Sequence, residues 1–182
     1  MDAIVAAALE KWPNVPHCYG WLALDARGDW YMRDDRIQAA GPFPRLKGSR
    51  IEHEKLRGFI ARNYACDARG AWFFQNGPQR VYVELEAAPW VWRLQPDPAA
   101  GLVVTSHTGR AAPQGDAFVD EAGRLFMASD LGLGLVHTLD MTVASDAVER
   151  GLWRPEEARF AALVARFGYR LSPAADPDRA LR

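Results

Sequence analysis

The residues that can do chemistry are few and scattered. The densest group is a basic segment: Arg45, Lys47, Arg50, Lys55 and Arg57 face only Glu52 and Glu54 in a chain of net charge −1. Within it, Ser49-Arg50-Ile51-Glu52 has the spacing of a capping box, with Ser49 as N-cap and Glu52 at the third helical position. A helix that starts there points free amide groups at a phosphate or carboxylate. The spacing therefore marks Arg45, Lys47, Ser49, Arg50 and Arg57 as candidate anion-binding residues. The opposing reading is that Ser49 and Glu52 satisfy those amides themselves and the bases are simply solvated.

His107 and His137 each stand beside hydroxyl residues, Ser106, Thr108 and Thr138, and Asp140 follows His137 closely. A small hydrolase-type acid–base enzyme can be drawn from His107, His137 and Asp140, with Ser106 as nucleophile. No catalytic residue is assigned from this, because structural histidines are commoner and spacing supplies no geometry. His17, Cys18, His53 and Cys66 are zinc-ligand types without zinc-site spacing, so no metal and no cofactor is expected. His53-Glu54 lacks the second histidine of a zincin helix, since position 57 is Arg. Gly132-Leu133-Gly134 lacks the third glycine of a dinucleotide loop and reads as a strand relieved by glycine.

The chain also carries 7 tryptophans. Trp21, Trp30, Trp72, Trp90 and Trp92 fall on or near apolar runs, and core packing is the leading account of them. Trp72, Trp90 and Trp92 are the candidates for an exposed aromatic platform, on which a partner or small molecule would stack.

Positioning such groups requires a scaffold, and its clearest mark is a recurring turn. Asp25-Ala26-Arg27-Gly28, Asp67-Ala68-Arg69-Gly70 and Asp120-Glu121-Ala122-Gly123 each separate an apolar run from an aromatic-rich one. Asp caps its own turn and Gly supplies a left-handed backbone, so three β-hairpins are expected. The intervals between them are unequal, which favours a recurring turn solution over a solenoid; duplication of a hairpin unit is the alternative. The capping box, with Leu56, Phe59, Ile60 and Tyr64 at helical spacing, predicts a helix between the first two hairpins. Helices are also expected at both ends: Asp2 to Lys11, Asp140 to Arg150, and Pro155 to Phe167. The fold class is α+β, with antiparallel hairpins forming one or two sheets and no doubly wound sheet. Residues 1–171 read as a single domain, with a division into two lobes near 95–101 as the alternative, and 172–182 as a loose tail.

Composition sets outer bounds. With 49% apolar and 25% charged residues over 182 positions, the chain buries a core and is not disordered. Near-neutral charge supplies no field for nucleic acid or an anionic membrane, and no run of 18 apolar residues predicts a spanning helix. Met1-Asp2 lacks the basic start of a signal peptide, and Cys18 and Cys66 read as reduced thiols, so a cytoplasmic protein is expected.

The middle of the chain resembles a family of small proteobacterial proteins of unknown function. The likeness runs over roughly residues 20–93 and rests on Gly48-Ser49-Arg50-Ile51, Leu56, Phe59, Asp67 to Gly70, Trp72-Phe73, Val81-Tyr82-Val83-Glu84 and Ala88-Pro89-Trp90. These follow as aromatic hairpin, short helix, second hairpin and Val-x-Val-Glu strand. The connection from about Arg33 to Lys47 is longer than in that family. The resemblance implies a bacterial α+β protein and transfers no activity. The functional expectation is a non-enzymatic binding or regulatory domain for a small anionic ligand or a protein partner. The hydrolase and a homodimer-forming interaction protein are the alternatives.

Overall fold

An Asp-x-x-Gly turn works because one carboxylate collects the turn's amides while glycine takes the left-handed backbone. In the computed structural model, which describes residues 2–12, 14–99 and 101–176, Asp67 Oδ1 accepts from Arg69 N at 2.9 Å and from Ala71 N at 3.0 Å. Asp120 Oδ1 accepts in the same way from Ala122 N at 3.0 Å and Arg124 N at 2.8 Å. Gly70 and Gly123 close the two turns with φ of 80° and 74°. Each turn joins a pair of antiparallel strands.

The chain forms two compact units. The first takes residues up to Asp25, Asp29–Glu86 and the chain from Tyr169; the second takes Ala26–Gly28 and Ala87–Gly168. Along the chain the unit changes at Glu86–Ala87 and again at Gly168–Tyr169.

In the first unit the elements are α1 (Ala3–Lys11), β1 (Cys18–Leu24), β2 (Trp30–Met32), α2 (Asp35–Ala40), β3 (Ser49–Arg50), α3 (Glu54–Arg62), β4 (Tyr64–Cys66), β5 (Trp72–Asn76) and β6 (Gln79–Leu85). They build a six-stranded sheet of order β3-β2-β1-β6-β5-β4. The second unit contains β7 (Trp90–Asp97), β8 (Gly101–Ser106), β9 (Ala111–Ala112), β10 (Ala117–Val119), β11 (Leu125–Ser129), β12 (Gly132–Val136), α4 (Met141–Glu149), β13 (Glu156–Glu157) and α5 (Phe160–Phe167). Its seven strands run β13-β10-β11-β12-β7-β8-β9.

The two sheets share one plan. Each has two three-stranded meanders, and the last strand of the second meander lies parallel to the first strand of the first: β6 beside β1, β12 beside β7. The second meanders match residue for residue. A constant offset of 53 carries the pairs Cys66–Trp72 and Phe73–Tyr82 onto Val119–Leu125 and Phe126–Leu135. The turns at Asp67 and Asp120 thus hold equivalent places in the two second meanders.

The fold is α+β, as the sequence implies, with two mixed sheets in place of wholly antiparallel ones. The correction arises between the meanders. Hairpin turns are local signals, whereas the parallel pairings β1/β6, β7/β12 and β10/β13 join strands far apart in sequence.

Four local expectations are also corrected. Ser49-Arg50 does not cap a helix; it pairs with Met32 and Tyr31 as β3, and Ile51 N continues to Trp30 O at 2.8 Å. The N-cap of α3 is His53, whose Nδ1 accepts from Leu56 N at 3.3 Å. Asp2 precedes α1 without capping it and turns its carboxylate to Arg62 at 3.2 Å. Glu156-Glu157 forms β13 against β10, so α5 begins only at Phe160. The connection after β2 holds an unforeseen helix, α2, capped by Asp34, and the buried guanidinium of Arg33 donates to Gly41 O at 2.7 Å and Leu46 O at 3.2 Å.

The residues read as the start of a loose tail are packed instead. Pro173–Ala175 is a 3-10 turn, and both Pro173 and Asp176 are buried. Residues 177–182 lie outside the described residues.

Candidate functional site

In the segment first marked for anions, Lys47 and Arg50 are paired with neighbouring acids. Lys47 Nζ lies 3.0 Å from Asp25 Oδ2 and 3.0 Å from Glu86 Oε2. Burial opposes its charge, but the two carboxylates outweigh that and raise its pKa. Arg50 is held to Asp29 at 2.8 Å. Ser49, Arg45 and Arg57 are exposed, and no helix N-terminus sits at Ser49 to join them.

The aromatic platform is core. Trp72, Trp90 and Trp92 are 9%, 1% and 0% exposed. The indole of Trp90 donates to Leu131 O at 2.7 Å and that of Trp92 to Met127 O at 2.8 Å, which lets two large polar-tipped rings stay inside.

The acid–base triad does not assemble. His107 N donates to Val91 O and His137 N to Trp92 O, so the two residues flank β7 on opposite sides, their backbones about 10 Å apart. The imidazoles serve as separate backbone acceptors: His107 Nδ1 accepts from Val91 N on β7 at 3.3 Å and His137 Nδ1 from Leu139 N in its own turn at 3.0 Å. Burial pushes the His107 pKa down to about 3. With Nδ1 as acceptor, its single proton sits on Nε2. Asp140 is bound to Arg93 at 2.6 and 3.0 Å and accepts from Leu94 N at 3.0 Å. Ser106 Oγ lies 2.8 Å from Thr108 Oγ1 and accepts from Arg110 N, as a turn residue does. Among the described residues no three His, Cys, Asp or Glu side chains gather to hold a metal, and His17, Cys18, His53 and Cys66 form no such group.

A different constellation does converge, within the first unit. It lies on the face of the sheet that carries Phe73 and Tyr82, the alternate positions to Phe74 and Val81. The ring of Tyr82 stacks on Tyr19, centroids 4.5 Å apart and planes 5° from parallel, and His17 meets it edge-on at 5.8 Å. The Tyr82 hydroxyl donates to Asp67 Oδ2 at 3.0 Å. Arg80 lays its guanidinium over the Phe73 ring, 4.5 Å from the centroid. Arg69 stands between Asp67 and Asp176, at 3.8 and 3.7 Å, and Arg170 reaches Asp176 at 3.3 Å. Strand alternation brings His17, Tyr19, Arg80 and Tyr82 together, and the Asp67 turn supplies the rest.

The electrostatics of this cluster are unbalanced. Lys47, Arg50, Arg93 and Arg124 hold carboxylates at 3.0, 2.8, 2.6 and 2.7 Å, the range of charge-assisted hydrogen bonds. Arg69 has two carboxylates at almost 1 Å beyond that range, and Arg80 has no carboxylate partner among the described residues. Burial first, then the positive charges of Arg80 and Arg69, lowers the pKa of His17, with Asp67 opposing. Burial and Asp67 raise that of Tyr82 against Arg80. At neutral pH the imidazole is therefore uncharged and the local field positive.

The second unit provides an internal control. The offset of 53 places Leu133 where the first unit has Arg80, and Leu135 where it has Tyr82, and both leucines are buried. The shared frame accepts apolar residues at these positions, so it does not itself demand an arginine or a tyrosine. Sequence reading missed the cluster because its members come from His17, the 67–70 turn, β6 and the chain end. The one available signal was Arg80-x-Tyr82 on a strand whose counterpart is Leu133-x-Leu135.

A family model described as a protein of unknown function (DUF2946) matches residues 1–174. No curated protein matches the chain. A DUF1285 family protein from Silicibacter pomeroyi DSS-3 is similar in structure with a TM-score of 0.50 and 13% identity, over 80% of this chain and 84% of that one. A DUF1285 family protein from Shewanella baltica OS155 gives 0.47 and 15%, over 69% of this chain and 91% of that one. The first of these likenesses concerns the fold alone. No helix among the described residues is long and apolar enough to cross a membrane.

Proposed function

The chain belongs to this family of proteins of unknown function (DUF2946), and from that premise we propose that it is a binding module for a small anionic ligand, held by Arg69 and Arg80 beside Tyr82 and His17. The observation that carries the reading is that neither guanidinium holds a carboxylate at the distance of a charge-assisted hydrogen bond among the described residues, whereas the half-buried Lys47 and Arg124 do. An anion between them gains two charged donors and the neutral His17. Its arrival favours the imidazolium, so His17 becomes a further donor once the site is occupied. Phosphate and carboxylate both suit guanidinium forks.

Calorimetric titration with inorganic phosphate tests this, at ionic strength held constant with chloride. Wild type binds; Arg80→Ala loses at least tenfold in affinity, and Arg57→Ala binds as wild type does. Equal affinity of wild type and Arg80→Ala overturns the assignment, and loss in Arg57→Ala returns the site to the basic segment.

A further inference from the structure

We propose that the anion held at Arg69 and Arg80 is the phosphate of a nucleoside monophosphate, whose base lies on the ring of Tyr19. The inference rests on the reading of those two arginines as the anion holders. It names the class of molecule that carries the anion.

An inorganic anion would use only the arginines and His17, yet much of the cluster is aromatic and its rings form a continuous run. Tyr19 stacks on Tyr82 at 4.5 Å with planes 5° from parallel, and Tyr82 meets Phe73 edge-on at 5.8 Å. The two tyrosines differ in exposure: Tyr82 is 2% exposed, whereas Tyr19 is only part-buried. Tyr82 takes one face of Tyr19, and among the described residues no second ring stacks on the other. The accessible part of the stack is therefore Tyr19. A further planar ring extends it, as nucleobases do on aromatic side chains.

The cations border this run. Arg80 lies over Phe73, 4.5 Å from the ring centroid, which holds the guanidinium in place and leaves its N–H donors at the edge of its plane. Arg69 Nε stands 3.8 Å from Asp67 Oδ2, the same oxygen that accepts from the Tyr82 hydroxyl at 3.0 Å. His17, edge-on to Tyr82 at 5.8 Å, borders the stack as well. A phosphate that reaches these guanidiniums thus arrives beside the rings. A molecule that joins a phosphoryl group to a flat heterocycle engages both features at once, which neither a bare anion nor an apolar ring does.

Calorimetry tests this with adenosine 5′-monophosphate against ribose 5-phosphate, which keeps the phosphoryl group and lacks the base, in wild type, Tyr19→Leu and Arg80→Ala. Wild type binds the nucleotide roughly tenfold more tightly, the size of one base–aromatic stack. Tyr19→Leu removes that advantage and leaves the affinity for ribose 5-phosphate as it was, while Arg80→Ala weakens both ligands. Proton NMR of the wild-type complex needs no variant: stacked on a tyrosine ring, the adenine protons move upfield through ring-current shielding. If the two ligands bind wild type equally, or the adenine protons of the bound nucleotide do not move upfield, the nucleotide reading is overturned and the anion site stands. An advantage that survives in Tyr19→Leu, or an equal loss of both ligands there, also overturns it. If neither ligand nor inorganic phosphate binds, or if Arg80→Ala binds all three as wild type does, both readings fall.

Discussion

The hydroxyl of Tyr82 donates to Asp67 Oδ2 at 3.0 Å, while Asp67 Oδ1 takes the two amides of its own turn. One carboxylate thus ties the β4–β5 turn to the middle of β6. Tyr82→Phe removes the tie and keeps the stacked ring. The expected cost is about 1.5–2 kcal/mol, that of one hydrogen bond to a carboxylate, read as a lower denaturation midpoint. Amide exchange at Arg69 and Ala71 should rise with it. A variant as stable as wild type, with unchanged exchange, would show that the turn stands without Tyr82.

His107 gives the second unit an acid-sensitive point. Its folded pKa of about 3 lies below the unfolded value of 6.5, so the folded chain binds fewer protons than the unfolded chain as acid is added. Its contribution is whole above the unfolded pKa and is lost as pH falls from 6.5 toward 3. The full span is about 4–5 kcal/mol at 1.36 kcal/mol per unit. Urea midpoints measured at pH 7 and pH 4 should separate widely for wild type and draw together for His107→Gln, whose side-chain oxygen can still accept from Val91 N. Parallel pH dependence in the two proteins would remove His107 from the account.

Gly134 sits against the tryptophan core. A Cβ there would run into the Trp92 indole and lie 2.8 Å from Trp90 Cβ. Both rings are immobilised by their N–H bonds to carbonyls, so they have little room to give. Gly134→Ala should destabilise by about 2–3 kcal/mol through overpacking, seen as a drop in melting temperature with the secondary structure retained. A neutral substitution would mean that β7 can shift as a whole.

Asp140 is a structural anchor and not half of a catalytic pair. Burial opposes its ionisation, but Arg93 and the Leu94 amide hold its pKa below the ordinary carboxylate value. Asp140→Ala frees Arg93, half exposed to water, and leaves the Leu94 amide without that acceptor; a loss of about 2 kcal/mol is expected by chemical denaturation. Because the folded pKa is depressed, this contribution is present above the unfolded value and vanishes as pH falls through the folded one. The wild type and Asp140→Ala should therefore converge in stability in strong acid.

Much of the architecture was legible because its signals are local. The turns at Asp67 and Asp120 announce themselves through one carboxylate and one glycine, and Gly132-x-Gly134 announces a strand relieved by glycine. Ser49-x-x-Glu52 misled for a physical reason: a capping box competes with strand pairing, and Ile51, buried beside Trp30, decides for the strand. The parallel pairings, and the meeting of His17, Arg69, Arg80 and Asp176, depend on which distant strands become neighbours. Single residues do not encode that. Basic residues crowded in sequence, Arg45 to Arg57, proved mostly paired or dispersed, whereas those that converge come from separate stretches.

The most direct measurement is the pKa of His17, followed by NMR of its imidazole with and without saturating inorganic phosphate. Without phosphate, burial, Arg80 and Arg69 keep it below 6.5. An anion between those guanidiniums cancels part of their field, so phosphate should raise the His17 pKa in wild type and leave it nearly unchanged in Arg80→Ala. A His17 pKa indifferent to phosphate in the wild-type protein would contradict the anion site at Arg69 and Arg80.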